Sequence, residues 1–154
     1  MTKQELIVKT LREKGLKITP QRLAIVKVLM EKNDEHPGAG SIYRAARKKR
    51  RGISFSTVYA TLGELSRRGI IKMLQFDQME NRYEGNLEEH VNLICRECGK
   101  IMDYEAPVLL DPAKIAKKTG FQMIDSRLEY YGYCQDCISR REGKTAKKQR
   151  TRRG

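Results

Sequence analysis

The chain has 154 residues, 39% hydrophobic and 33% charged, with a formal net charge of +13, which suits one ordinary domain or two small ones. No apolar run is long enough to span a bilayer. The opening MTKQELIVKTLREKG lacks the apolar core and cleavage site of an export signal, so a cytoplasmic protein is expected rather than a membrane or secreted one.

In chain order, segment 3–14 places Leu6, Ile7, Thr10 and Leu11 on one helical face and stops at Gly15. Thr19-Pro20 restarts the pattern with a capping hydroxyl and a proline at the first helical position. Leu23, Val26, Leu29 and Met30 give this second helix its buried stripe, and Asn33, Asp34, His36 and Pro37 break it. A third helix over 39–49 turns Ile42, Tyr43 and Ala46 inward and runs into the basic stretch Arg47–Arg51. Gly52 ends it. Ser54 or Ser56 can cap a fourth helix through Arg68, with Val58, Leu62 and Leu65 facing a core. After Gly69, the runs Ile70–Phe76 and Asn81–Glu84 predict a hairpin.

Four helices and a hairpin in this order predict a winged helix-turn-helix over residues 1–86, with 39–49 and 54–68 as the helix–turn–helix. A plain helical bundle with a hairpin is the alternative. The basic run before the turn favours the first, as do Ser54, Ser56, Thr57 and Thr61, slim enough for their helix to enter a major groove.

Beyond residue 86 the texture changes. HVNLIC and KIMDYE read as strands, Pro112–Thr119 as a short helix, and Phe121–Tyr131 alternates as a strand. Residues 87–138 therefore predict a small α/β module, making the whole chain α+β, and the apolar-poor tail 139–154 is expected to be disordered. Charge follows the same division: residues 1–72 hold 17 Lys and Arg against 6 Asp and Glu, residues 73–138 hold 7 against 12, and residues 139–154 hold 8 against 1. A basic front and tail around an acidic middle predict a polyanion-binding module joined to a different one, although ribosome-bound and membrane-surface proteins share such a balance.

The second module holds two thiol pairs, Cys95-x-x-Cys98 and Cys134-x-x-Cys137. Two such knuckles supply the four soft ligands of a tetrahedral Zn²⁺ shell. A redox dithiol pair and an iron–sulfur cluster are the competing uses. A closed Cys₄ shell leaves no open position, which argues against catalysis at this metal.

The segments GLKITPQRLAIVKVL, HPGAGSIY, ISFSTVYATLGELSRRGII, NRYEG, HVNLICRECGKIMDYE and RLEYYGYCQDC resemble the ferric uptake regulator family, in family order and over residues 10–138. The resemblance implies a homodimeric, metal-responsive regulator of transcription, usually a repressor, with 87–138 as its dimerisation domain. It assigns Cys95, Cys98, Cys134 and Cys137 to structural zinc, Tyr59 to base contact and Lys17 to the minor groove. Ala60 departs from the arginine or asparagine common in the family, and an AT-rich inverted-repeat operator on duplex DNA is the default expectation.

The resemblance further places a sensing metal between the domains on His36, Glu84, His90, Asn92 and Asp103. Such an ion would fix the domain angle, and with it the spacing of two recognition helices. Asn92 stands where a second histidine is usual, and Ser126 replaces a histidine of an accessory site. Two histidines and two carboxylates suit Fe²⁺ or Mn²⁺ better than Zn²⁺. RLEYYGYCQDC is most similar to the peroxide-responsive branch, in which bound Fe²⁺ activates peroxide and a ligand histidine is oxidised. Glu84, where that branch prefers aspartate, is closer to iron-uptake control. A degenerate site with metal-free DNA binding, a metal-dependent nuclease and a thiol switch that releases zinc compete with this reading.

Overall fold

The computed structural model describes residues 2–105 and 110–152. The chain divides into two compact units, one ending at Glu88 and the other beginning at Glu89. Among the described residues no helix is long and apolar enough to cross a membrane.

The first unit comprises α1 (Lys3–Glu13), α2 (Pro20–Glu31), a 3₁₀ turn (Asn33–Glu35), α3 (Ala39–Lys49), α4 (Phe55–Arg67), β1 (Lys72–Leu74) and β2 (Arg82–Glu84). Local chemistry sets the boundaries. Thr2 and Glu5 close a reciprocal capping box on α1. The Thr19 side chain accepts from the Arg22 amide and Pro20 occupies the first turn of α2. Ser54 caps α4 by accepting from the Thr57 amide at 3.1 Å.

Ile25 and Val28 of α2, Ile42 and Ala46 of α3, and Val58, Leu62 and Leu65 of α4 are fully buried in one cluster with Leu11. Leu6, expected on the inner stripe of α1, is exposed, since the face turned to the core is that of Ile7 and Leu11, four residues apart. The hairpin β1–β2 is antiparallel and pairs Lys72 with Glu84, Met73 with Tyr83 and Leu74 with Arg82. Three helices, a turn, a fourth helix and a hairpin follow one another as the winged helix-turn-helix pattern requires.

The second unit is built on a three-stranded sheet in the order β4–β3–β5, with β3 spanning Val91–Cys95, β4 Ile101–Tyr104 and β5 Leu128–Gly132. β3 pairs antiparallel with β4 and parallel with β5. Helix α5 (Pro112–Thr119) lies between β4 and β5 in the chain, and α6 (Gln135–Arg152) follows β5.

Two sequence expectations are corrected in this unit. Phe121–Tyr131 was expected as one strand, but pairing begins at Leu128, because β3 offers partners only from Val91 to Cys95. The tail from Ser139, expected to be disordered, continues α6 to Arg152. Its first turn is held at buried Cys137, which nucleates the helix from which the rest propagates.

Strand register sorts the sheet into two faces. One carries the rows Tyr104–Val91–Leu128 and Met102–Leu93–Tyr130. Met102, Tyr104, Leu128 and Tyr130 on it are all exposed. The opposite face carries the rows Asp103–Asn92–Glu129 and Ile101–Ile94–Tyr131.

Candidate metal centres and nucleic-acid interface

The four cysteines converge in the second unit. Cys95 ends β3, and the left-handed φ of 74° at Gly99 lets the chain turn back after Cys98. The Cys95 amide donates to the Lys100 carbonyl at 2.8 Å and the Gly99 amide to the Cys95 carbonyl at 3.0 Å, which closes the knuckle. Cys134 and Cys137 come from the turn that opens α6.

Cys95 Sγ lies 3.8 Å from Cys137 Sγ, and Cys98 Sγ lies 3.7 Å from Cys134 Sγ. All four sulfurs fall within 4.8 Å of one another. Zinc–sulfur bonds of about 2.3 Å give a tetrahedral shell with sulfur–sulfur edges of about 3.8 Å. A disulfide would need about 2.05 Å. The thiols thus already stand at the corners of a zinc shell, and they fit the ion.

Their protonation differs. Backbone amides of Cys98 and Cys134 directed at Cys95 pull its thiol down to about 6. Burial, with the neighbouring thiols, pushes Cys137 up to about 12. Around the site, Arg141 of α6 pairs with Glu97 at 3.1 Å and stacks on the Tyr133 ring at 3.9 Å. Arg96 likewise covers Tyr131 at 4.6 Å.

The residues expected to bind a sensing metal form one pair in each unit. In the first, His36 Nε2 lies 3.2 Å from Glu84 Oε2, and both side chains are 1% exposed. This pairing is built by the backbone. His36 takes a left-handed φ of 47° at the end of the 3₁₀ turn, an uncommon conformation for a residue with a Cβ. The chain then runs along β2. The Tyr83 amide donates to the Pro37 carbonyl at 3.0 Å, Arg82 Nη1 donates to the His36 carbonyl at 3.1 Å, and Gly38 bridges to Arg82. Asn33 Oδ1 accepts from the Gly85 amide at 2.7 Å and holds the end of the hairpin against the turn. Asn33 and Arg82 were missed by sequence reasoning, since their partners lie about fifty residues away in the chain.

In the second unit, His90 Nε2 lies 3.5 Å from Asp103 Oδ1. Asn92 sits opposite Asp103 across β3–β4, two residues from His90 and therefore on the same side of the strand. Asn92 is 3% exposed, and its Oδ1 is buried without a hydrogen-bond partner among the described residues. An orphaned oxygen costs free energy unless it receives a donor or a cation, so it suits a ligand beside His90 and Asp103. Nitrogen and carboxylate oxygen donors, without sulfur, fit Fe²⁺ or Mn²⁺.

The expected reading helix, α4, presents a mixed face. Tyr59 is 58% exposed and Ala60 and Ser56 are exposed beside it. Lys17 is exposed in the loop before α2. Ser54 is occupied in capping, and its hydroxyl also reaches Thr57 Oγ1 at 2.9 Å.

Thr61, expected on the outer face, is instead only 8% exposed. It lies three residues from Val58 and four from Leu65, which places it on the core side of the helix. Phe55, not singled out from the sequence, is 47% exposed, stacks on Tyr59 at 6.3 Å and meets Tyr43 edge-on at 5.6 Å. Its four-residue spacing from Tyr59 was the available signal.

The sequence model of the ferric uptake regulator family matches residues 13–131. The peroxide operon regulator of Bacillus subtilis is 39% identical over 129 residues, covering 83% of this chain and 88% of the relative. The peroxide-responsive repressor PerR of Staphylococcus epidermidis is 37% identical over 129 residues, covering 83% of this chain and 85% of the relative. The ferric uptake regulator Fur of Helicobacter pylori, whose structure is described as revealing three functional metal-binding sites, is similar with a TM-score of 0.65. That match is 27% identical and covers 87% of this chain and 90% of the other.

Proposed function

Because the chain belongs to the ferric uptake regulator family and is a metal-dependent transcription regulator, we propose that it is a peroxide-sensing repressor that binds an inverted-repeat operator on duplex DNA as a homodimer. The observation that carries this reading is a histidine–carboxylate pair in each unit, His36 with Glu84, both buried, and buried His90 with the more exposed Asp103. His36, Glu84, His90, Asn92 and Asp103 together would hold one Fe²⁺ or Mn²⁺, and Cys95, Cys98, Cys134 and Cys137 the structural Zn²⁺.

Ligands drawn from both units would restrict the angle between them when the metal is bound. In a dimer that angle sets the separation of two reading helices, which has to match one turn of the duplex. Fe²⁺ held there would supply the electron that opens the O–O bond of a peroxide. One peroxide oxygen would leave as water and the other would be taken up at a ring carbon of His36 or His90, the histidine being the group oxidised overall; its pair with Glu84 or Asp103 would then no longer offer the original donor set. The exposed sheet face around Met102, Tyr104, Leu128 and Tyr130 supports the dimer, since an apolar patch of this kind favours a second copy. Lys17, Ser56 and Tyr59 would meet the DNA directly, with Ser54 and Thr57 ordering the start of α4.

The test is a metal-titrated DNA-binding measurement, followed by peroxide treatment and mass spectrometry of the His36 and His90 peptides. Metal-dependent binding with oxygen gained at a histidine supports the reading. Metal-dependent binding without oxidation favours iron-uptake control, to which Glu84 points through its longer side chain. Binding indifferent to Fe²⁺ and Mn²⁺ rejects the sensing site.

A further inference from the structure

The family match ends at residue 131, and α6 runs well past it, to Arg152. From Ile138 to Arg152 every residue of this helix is exposed. At 3.6 residues per turn, Arg140, Arg141, Lys144, Lys147, Lys148 and Arg152 fall within an arc of about 140° on one side. Glu142, the carboxylate nearest to them in the chain, projects from the other side. Arg141 is paired with Glu97. Lys144, Lys147, Lys148 and Arg152 have no carboxylate partner among the described residues.

Such a face opposes its own helix. Arg140 and Lys144, Lys144 and Lys148, and Lys148 and Arg152 are like charges one turn apart, a spacing that destabilises isolated helices. Little in the remainder of α6 offsets this, since the helix buries no residue beyond Cys137. A polyanion laid along the stripe removes the repulsion. The N-terminal turn meanwhile is fixed by Cys137 and by the contacts of Arg141 with Glu97 and Tyr133, so the cations extend as an arm from a rigid base.

We propose that this face of α6 binds the phosphate backbone of duplex DNA, as a second, sequence-independent contact outside the reading helix. From Arg140 to Arg152 the arm is about 18 Å long, enough to meet several phosphates. Duplex DNA is the occupant because the proposal rests on the reading of the chain as a DNA-binding regulator, and the first unit supplies the sequence-reading contact.

The experiment compares the zinc-loaded full chain with a variant carrying Lys144→Gln, Lys147→Gln, Lys148→Gln and Arg152→Gln, using a short duplex that lacks any inverted repeat, across a range of salt concentrations. The variant is expected to bind this duplex about tenfold more weakly at low salt, with a log–log salt slope shallower by about 2 to 4. A Lys144→Arg, Lys147→Arg, Lys148→Arg variant should match the parent, since charge rather than side-chain shape is responsible. Unchanged affinity and slope in the glutamine variant overturn the proposal, as does equal weakening in the arginine variant. Loss of binding to phosphatidylserine vesicles with duplex affinity intact also overturns it, in favour of a membrane surface. α6-dependent duplex binding in a chain that shows no metal response at an operator supports this proposal while rejecting the regulatory one.

Discussion

Arg22 of α2 joins Glu64 of α4 through Nη2 and Oε2 at 2.8 Å. Its other terminal nitrogen, Nη1, donates to the Lys17 carbonyl at 2.8 Å. One guanidinium therefore fixes the loop that carries exposed Lys17 relative to α4. Arg22→Met should cost about 1–2 kcal/mol of stability, towards the low end of what charged hydrogen bonds contribute because the pair is partly solvated. Duplex affinity should fall at the same time, with the metal concentration at half-binding unchanged. Urea unfolding and DNA-binding anisotropy measure the two effects, and a shift in the metal midpoint would place Arg22 in the sensing apparatus instead.

Cys95→Ser should remove stoichiometric zinc and with it the dimer. The ion's binding energy is folding energy for the second unit, in which Cys95, Cys134 and Cys137 form a buried cluster of their own. Zinc analysis and sedimentation read the outcome, and a zinc-free dimer that melts like the parent would contradict it. Zinc affinity should also rise with pH. Cys137, pushed up to about 12, carries a proton at neutral pH that zinc must displace.

His90→Ala should leave a folded, zinc-loaded protein whose DNA binding no longer follows Fe²⁺ or Mn²⁺. The histidine lies beside Asp103 on the sheet face away from the exposed apolar rows, so dimerisation should survive. A parental response in a metal-titrated gel shift would remove His90 from the ligand set. Asn92→His offers the converse test. It replaces an amide oxygen by imidazole and should tighten metal binding, read as a lower metal concentration at half-saturation.

Tyr59→Ala should weaken operator binding by about 5- to 150-fold, the range of about 1–3 kcal/mol for a lost base contact, with little change in stability because the ring is largely exposed. Phe55→Ala should weaken binding less, through the loss of a ring that braces Tyr59. A large fall in melting temperature for either variant would show that the aromatic pair serves the fold rather than the duplex.

Features governed by neighbours in the chain were legible from the sequence. Thr19-Pro20, Ser54 and Gly52 mark helix ends through local hydrogen bonding and backbone geometry, and α2, α3 and α4 begin and end close to where those residues predict. Thiol spacing likewise announced the four-cysteine cluster. Features set by distant partners were not. The limits of β5 depend on where β3 stops offering partners, and alternation over Phe121–Tyr131 cannot reveal that. Thr61 was misplaced because small polar residues suit either side of a helix, whereas its spacing from Val58 and Leu65 settles the matter. His36 presented itself as a loop residue beside a proline, and its burial arises only because β2 runs alongside that loop.

Strand β3 carries three different tasks on five consecutive residues. Asn92 faces the histidine–carboxylate side, Leu93 the exposed apolar side, and Cys95 closes the strand within the thiol cluster. A deletion of one residue between Val91 and Ile94 would invert every side chain upstream of the lesion relative to Cys95. Ion sensing and subunit pairing would then fail together in a single lesion, while the knuckle itself could still close. The cysteine at the end of the strand is thus an index mark, against which the alignment of everything before it is kept.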